Sequence, residues 1–223
     1  MARGASDVTC IAVPAAELLV RPAAFDDVDA MYSICLRTGA AGEDANGYYT
    51  DGDLLGHIYV GPYVLLESGF GIVATSGDEV VGYALAAPDT AAFEFEAAAA
   101  WWPALQRRYP LPEGARPFEG RDDGLIALIH APPAARRELL ADYPAHLHID
   151  LAPEAQGLGA GRRLMTELEA ELVRRGVPGV HLGTAPTNVR SHGFYEHLGY
   201  RRLAAGELGT AAGEFVYVKQ LTG

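Results

Sequence analysis

The run Gln156-Gly157-Leu158-Gly159-Ala160-Gly161-Arg162 leads directly into a helical pattern, and its chemistry is that of an anion receptor. Glycine accepts positive φ and lets a ligand approach the backbone closely. The first N–H groups of a helix have no intrahelical partners and converge on negative charge. A pyrophosphate is the natural guest. Arg162 and Arg163 fit the same reading, because positive side chains at a helix N-terminus oppose the macrodipole unless an anion also sits there. The spacing excludes two other phosphate-binding devices. A P-loop needs Gly-Lys followed by Ser or Thr, which is absent, and a dinucleotide fingerprint needs a third glycine where this chain has Arg162 or Leu164.

Just upstream, His146, His148 and Asp150 alternate with Leu147, Ile149 and Leu151. The period of two places the polar three on one face of a strand and the apolar three on the other. Two chemistries are open to the polar face. It can line a ligand cleft, or alternate residues can converge on a metal ion, since His146-x-His148-x-Asp150 resembles the start of the metallo-β-lactamase metal motif. Leu151 stands where that motif has a further histidine, and His57, His130, His181, His192 and His197 add no metal spacing. The expectation is therefore a site without metal.

The elements that would position these residues follow from periodicity. Leu18–Arg21 reads as a strand, followed by an acidic first turn (Asp26, Asp27, Asp29) and a helix marked by Val28, Met31 and Cys35 that Gly39 ends. Residues 38–61 read as loop with a short helix around 54–60. Gly69–Ala74 and Glu79–Ala87 form a hairpin pattern across Ser76-Gly77-Asp78. Phe93–Tyr143 differs in composition and reads as a helical insertion, with a helix through Ala97–Ala100 that ends at Pro103. After the glycine turn, Leu164, Met165, Leu168, Leu172 and Val173 mark the apolar side of a helix. A strand at Val180–Gly183, a helix at Asn188–Leu198, and a strand pair at Tyr200–Leu203 and Phe215–Leu221 complete a mixed α/β pattern.

Composition bounds the function. The 223 residues are 49% hydrophobic and 21% charged, those of an ordinary globular protein, and no apolar run is long enough to cross a bilayer. The formal net charge of −12 argues against a nucleic-acid partner and leans toward a cationic acceptor. Met1–Ile11 lack the features of a secretory signal, and residues 1–16 read as an N-terminal extension. Only Cys10 and Cys35 are present, so a reducing, cytoplasmic compartment is expected, with Cys35 as a small core residue.

Two motifs together carry a family resemblance. Pro153-x-x-Gln156-Gly157-x-Gly159-x-Gly161 resembles the coenzyme A pyrophosphate signature of the GCN5-related N-acetyltransferase superfamily. About thirty residues later, Asn188-x-x-Ser191-x-x-Phe194-Tyr195-x-x-Leu198-Gly199-Tyr200 is similar to that family's second motif. Gly56–Tyr63 with His146–Gln156 is also similar to the acetyltransferase-like domains associated with O-GlcNAcase. The resemblance implies a largely antiparallel central sheet flanked by helices, over one domain at 17–223 with the insertion at about 93–143. It implies acetyl-CoA as co-substrate, held by Ile149, Leu151, Gln156, Gly157, Leu158, Gly159, Ala160, Gly161, Arg162, Asn188, Ser191 and Phe194. Tyr195 would protonate the departing thiolate, with Asp150, or else His148, as base. The acceptor would be a small-molecule amine or a lysine-bearing peptide. The alternative is a module that binds acyl-CoA or a peptide without catalysis, and the terminal strand pair can complete the sheet alone or join a homodimer.

Overall fold

The computed structural model describes residues 18–111, 121–210 and 215–221; the expected extension at 1–16, Cys10 and residues 112–120 of the insertion lie outside the described residues. The strands are β1 (Leu18–Pro22), β2 (Phe70–Ser76), β3 (Glu79–Ala87), β4 (Ala145–Leu151), β5 (Gly179–Thr184), β6 (Arg201–Arg202) and β7 (Phe215–Gln220). They form one sheet in the order β1-β2-β3-β4-β5-β7-β6, antiparallel at every pairing except the parallel β4–β5. The expected hairpin and terminal strand pair are both present, with β7 lying between β5 and β6.

The helices are α1 (Val28–Thr38), α2 (Leu54–Tyr59), α3 (Gly61–Leu65), α4 (Thr90–Glu96), α5 (Trp102–Arg108), α6 (Arg121–His130), α7 (Arg137–Asp142), α8 (Ala160–Arg174) and α9 (Val189–His197). They cover both faces of the sheet, which explains why β3 reads Val-Val-Gly-Tyr-Ala-Leu-Ala-Ala with few polar interruptions. Ala84 and Ala86 face Leu164, Met165, Leu168 and Leu172 of α8. Tyr83 and Leu85 face Met31, Ile34 and Cys35 of α1 and Leu54 of α2. Val173, expected on the apolar side of α8, is 43% exposed.

Two sequence features act differently from expectation. Pro103 does not end its helix: the N–H of Trp102 donates to Ala97 O, five residues back, and this wide turn lets Pro103 sit in the first turn of α5, where no N–H is required. Asp27 does more than complement a helix dipole. It takes two hydrogen bonds from Arg21, at 2.7 and 2.8 Å, and one from the Ala24 N–H, tying β1 to the start of α1.

Leu164 lies fully buried at the centre of the α8–sheet contact. Leu164→Ala is expected to cost ~2–5 kcal/mol in denaturant unfolding, whereas Val173→Ala should stay within ~0.5 kcal/mol.

Candidate functional site

The pairing of β4 with β5 extends over only Ala145↔Val180 and His146↔His181, after which the strands part. A cavity of about 600 Å³ opens beyond that point. One side is formed by Ile149, Asp150 and Leu151 of β4, the floor by the glycine turn, and the far side by the start of α9. The sequence-predicted cofactor residues Gln156, Gly157, Gly159, Gly161, Arg162, Asn188, Ser191 and Phe194 all line it, with Tyr195. Leu158 and Ala160 pack their side chains into the core beneath, so that only their backbone groups remain for a ligand.

The glycines have separate reasons to be glycine. Gly157 and Gly159 adopt φ of 76° and 83°, which carries the chain from the short turn at Pro153–Ala155 into α8. Gly161 has ordinary helical geometry, but a Cβ there would lie 3.0 Å from Leu151 and 3.2 Å from the Phe194 ring. Among the described residues, no acceptor takes a hydrogen bond from the N–H groups of residues 157 through 162; the first regular bond of the helix is Arg163 N–H to Gly159 O. Six successive donors therefore surround one turn of backbone.

Flanking side chains hold that turn in place. Arg37 on α1 makes two hydrogen bonds with Glu154, at 3.1 and 2.6 Å, and Gln156 donates to Leu151 O while accepting from Arg190. The two arginines after the turn divide: Arg162 lines the cavity, but Arg163 donates to Leu18 O on β1 and serves the fold. Asn188 caps α9 by accepting from the Ser191 N–H, and the Ser191 hydroxyl bonds Asn188 O and Thr184. Both residues thus fix the helix that presents Phe194 and Tyr195. Thr38, Ala41, Gly42 and Glu43 also line the cavity and carry no motif. Their one sequence signal is the small-residue run after Gly39, where Ala41 and Gly42 take positive φ.

Tyr195 is 7% exposed and packs edge-on against Phe194 and Tyr200. Burial, reinforced by the charge of Asp150, pushes its phenol well above the ordinary value, so it is protonated throughout the physiological range. Asp150 Oδ2 accepts from the Tyr83 hydroxyl at 2.6 Å and from His148 Nε2 at 3.0 Å. Burial opposes charge on His148, but the adjacent Asp150 carboxylate prevails and the imidazole is pushed up to about 10. The part of the ring that is open, 32% of the side chain, lines a second cavity.

The polar face of β4 does not act as one unit. His146 turns away to Thr90 and Tyr63, each at 2.8 Å, and burial holds its pKa down to about 3. The donors that do converge are Cys35, His148 and Asp150, within 4.8 Å of one another, so the metal-like spacing read from the strand alone is not the grouping the fold makes. Cys35 itself is buried in the core, as expected. No helix among the described residues is long and apolar enough to cross a membrane.

The Acetyltransferase (GNAT) family model matches residues 43–200. Protein O-GlcNAcase of Rattus norvegicus and that of Mus musculus are each 24% identical over 187 residues, 83% of this chain and 20% of theirs. The chain thus spans about a fifth of the length of the curated relatives it matches. Among solved structures, SsHAT is similar with a TM-score of 0.81 and 34% identity over 93% of this chain and 100% of that one. The yncA protein from Salmonella typhimurium, solved with its cofactor acetyl-CoA, has a TM-score of 0.53 at 19% identity over 92% and 95% of the two chains, a likeness of fold.

Because the folded-state pKa of His148 is raised, the folded protein holds this proton more tightly than the unfolded chain does. The resulting stabilisation is complete below the ordinary value of 6.5, declines as pH rises, and is lost above about 10. Asp150→Asn is expected to flatten the fall in unfolding midpoint across that window and to bring the NMR titration of His148 down from about 10. An equally steep fall in the variant would contradict the pairing.

Proposed function

Since the chain belongs to the acetyltransferase (GNAT) family, we propose that it transfers an acetyl group from acetyl-CoA directly to a primary amine, on a small molecule or a lysine-bearing peptide. The observation that carries this reading is the row of six N–H groups, 157 through 162, left without partners among the described residues beside a cavity that Gly157, Gly159, Gly161 and Arg162 line. Unpaired amides beside a helix N-terminus suit a diphosphate, and the guanidinium adds a charge-assisted bond. The residues present therefore fit the group that the family uses.

When bound, acetyl-CoA supplies an activated thioester, whose acyl carbon the amine attacks as the carbon–sulfur bond breaks. Residues 157–162 hold the diphosphate and orient the arm of the co-substrate along Ile149 and Leu151, where β4 is paired with β3 but has no partner on its β5 side. Tyr195, on the cavity wall and protonated at neutral pH, gives its phenolic proton to the departing sulfur. Asp150 takes the proton from the amine. His148 is its positioning partner, because an imidazole pushed up to about 10 already carries a proton at neutral pH and cannot accept another.

Calorimetry and turnover test this together. Coenzyme A is expected to bind, Arg162→Ala to weaken it roughly tenfold, and Tyr195→Phe to lower kcat ~100-fold while leaving coenzyme A affinity unchanged. Binding without turnover on any amine would mark a non-catalytic binding module. Unchanged turnover in Tyr195→Phe would remove the acid.

A further inference from the structure

A second cavity, of about 550 Å³, meets β4 and β5 at the last paired residues and just past them, at His146–His148 and His181–Gly183. Its other walls come from the two segments without legible motifs: Ile58, Tyr59 and Tyr63 from the α2–α3 region, and Phe93, Glu94 and Trp102 from the insertion. The first cavity uses Ile149–Leu151 of the same strand, so the two cavities adjoin successive residues of β4. A volume of this size holds a compact organic molecule.

Several polar groups on its walls are committed. His146 uses both ring nitrogens, on Thr90 and Tyr63, and His181 Nδ1 is bonded to Tyr143 O. His148 Nε2 is bonded to Asp150. Among the residues lining this cavity, Glu94 is the single carboxylate. One of its oxygens accepts from the Ala135 N–H at 2.7 Å, while among the described residues no donor reaches the other. Burial raises its pKa, consistent with an acid that lies inward. Arg136, which has a partner of its own, also lines the cavity; most of the remaining wall is aromatic or aliphatic, with Tyr59 stacked on His148 and Tyr63 on Phe93. A polyamine would bring several charges into a space with one counter-charge.

We propose that this cavity receives the acceptor, and that the acceptor is a compact amine with an aromatic or branched apolar body and one further cationic or hydrogen-donating group, which Glu94 holds. The assignment of an acceptor rests on the acetyl-transfer reading above; the ligand class rests on the walls alone. The overall acidity of the chain thus does not set the acceptor, because it is not concentrated on these walls.

Calorimetric titration of the full chain, with and without coenzyme A, tests this with four probes: p-xylylenediamine, benzylamine, putrescine and glucosamine. The aromatic diamine should bind at least about tenfold tighter than putrescine or glucosamine. Glu94→Gln, which keeps an acceptor for the Ala135 N–H, should weaken p-xylylenediamine about tenfold and benzylamine less than about twofold, with coenzyme A affinity unchanged. Equal binding of the four amines, tightest binding of putrescine or glucosamine, or an equal loss for both aromatic amines in Glu94→Gln would overturn the ligand class. If the aromatic preference holds but coenzyme A does not bind, the cavity assignment stands and the transferase reading fails. If coenzyme A binds but the preference is absent, the reverse is true.

Discussion

Two residue pairs join β4 to β5, and then the strands separate. Both cavities of the molecule adjoin that parting. Inside a sheet, each strand satisfies its neighbour's N–H and C=O groups; beyond His146 and His181 the facing edges of β4 and β5 lose that partner while β3 and β7 still pair their other edges, and an edge without its ladder is suited to bind something else. The cavities flank the parting, one beyond the paired residues and one beside them. The glycine turn extends the same condition: six further N–H groups are held unpaired where β4 gives way to α8. Such a row is stable because its surroundings are fixed. Arg37–Glu154, Gln156–Leu151 and the close packing of Gly161 on Leu151 and Phe194 hold the turn whether or not a ligand is bound.

Beneath the cleft lies a buried polar network whose energetics differ from those of the core around it. Tyr83, His148 and Cys35 surround Asp150, and each hydrogen bond there compensates for lost hydration rather than adding a large surplus. Removing one partner would leave a buried charge exposed to a low dielectric. The consequence for chemistry is a division of labour along a single strand. His146, held neutral by burial, belongs to the wall of the second cavity; His148 and Asp150, held as an ion pair, adjoin the first through Asp150.

Local chemistry was legible in the sequence wherever one segment determined it. The glycine turn, the hairpin at Ser76-Gly77-Asp78, α1 and α8 all read correctly, because capping, turn type and periodicity act over a few residues. The sheet class and the family were legible because two motifs stand in order. What escaped depended on contacts distant in sequence. Nothing local distinguishes Arg162 from Arg163, and only the position of Leu18 O separates their roles. The wide turn at Ala97 that accommodates Pro103 is set by packing of the insertion, whereas the proline alone suggests a stop. The period of two put His146, His148 and Asp150 on one face, but could not show that Thr90 and Tyr63 draw one away while Cys35 approaches the others. Both cavities also take walls from segments whose patterns carry no motif, residues 41–43 at one and the insertion at the other.

The account turns on whether the unpaired amides at 157 through 162 are the anion receptor. Backbone amide hydrogen exchange of the intact chain, with and without saturating coenzyme A, measures this directly. Slowed exchange concentrated at Gly157 through Arg162, and reduced with dephosphorylated pantetheine in place of coenzyme A, is the result the account predicts. Protection that appears elsewhere in the chain while these six amides exchange at unchanged rates would contradict it.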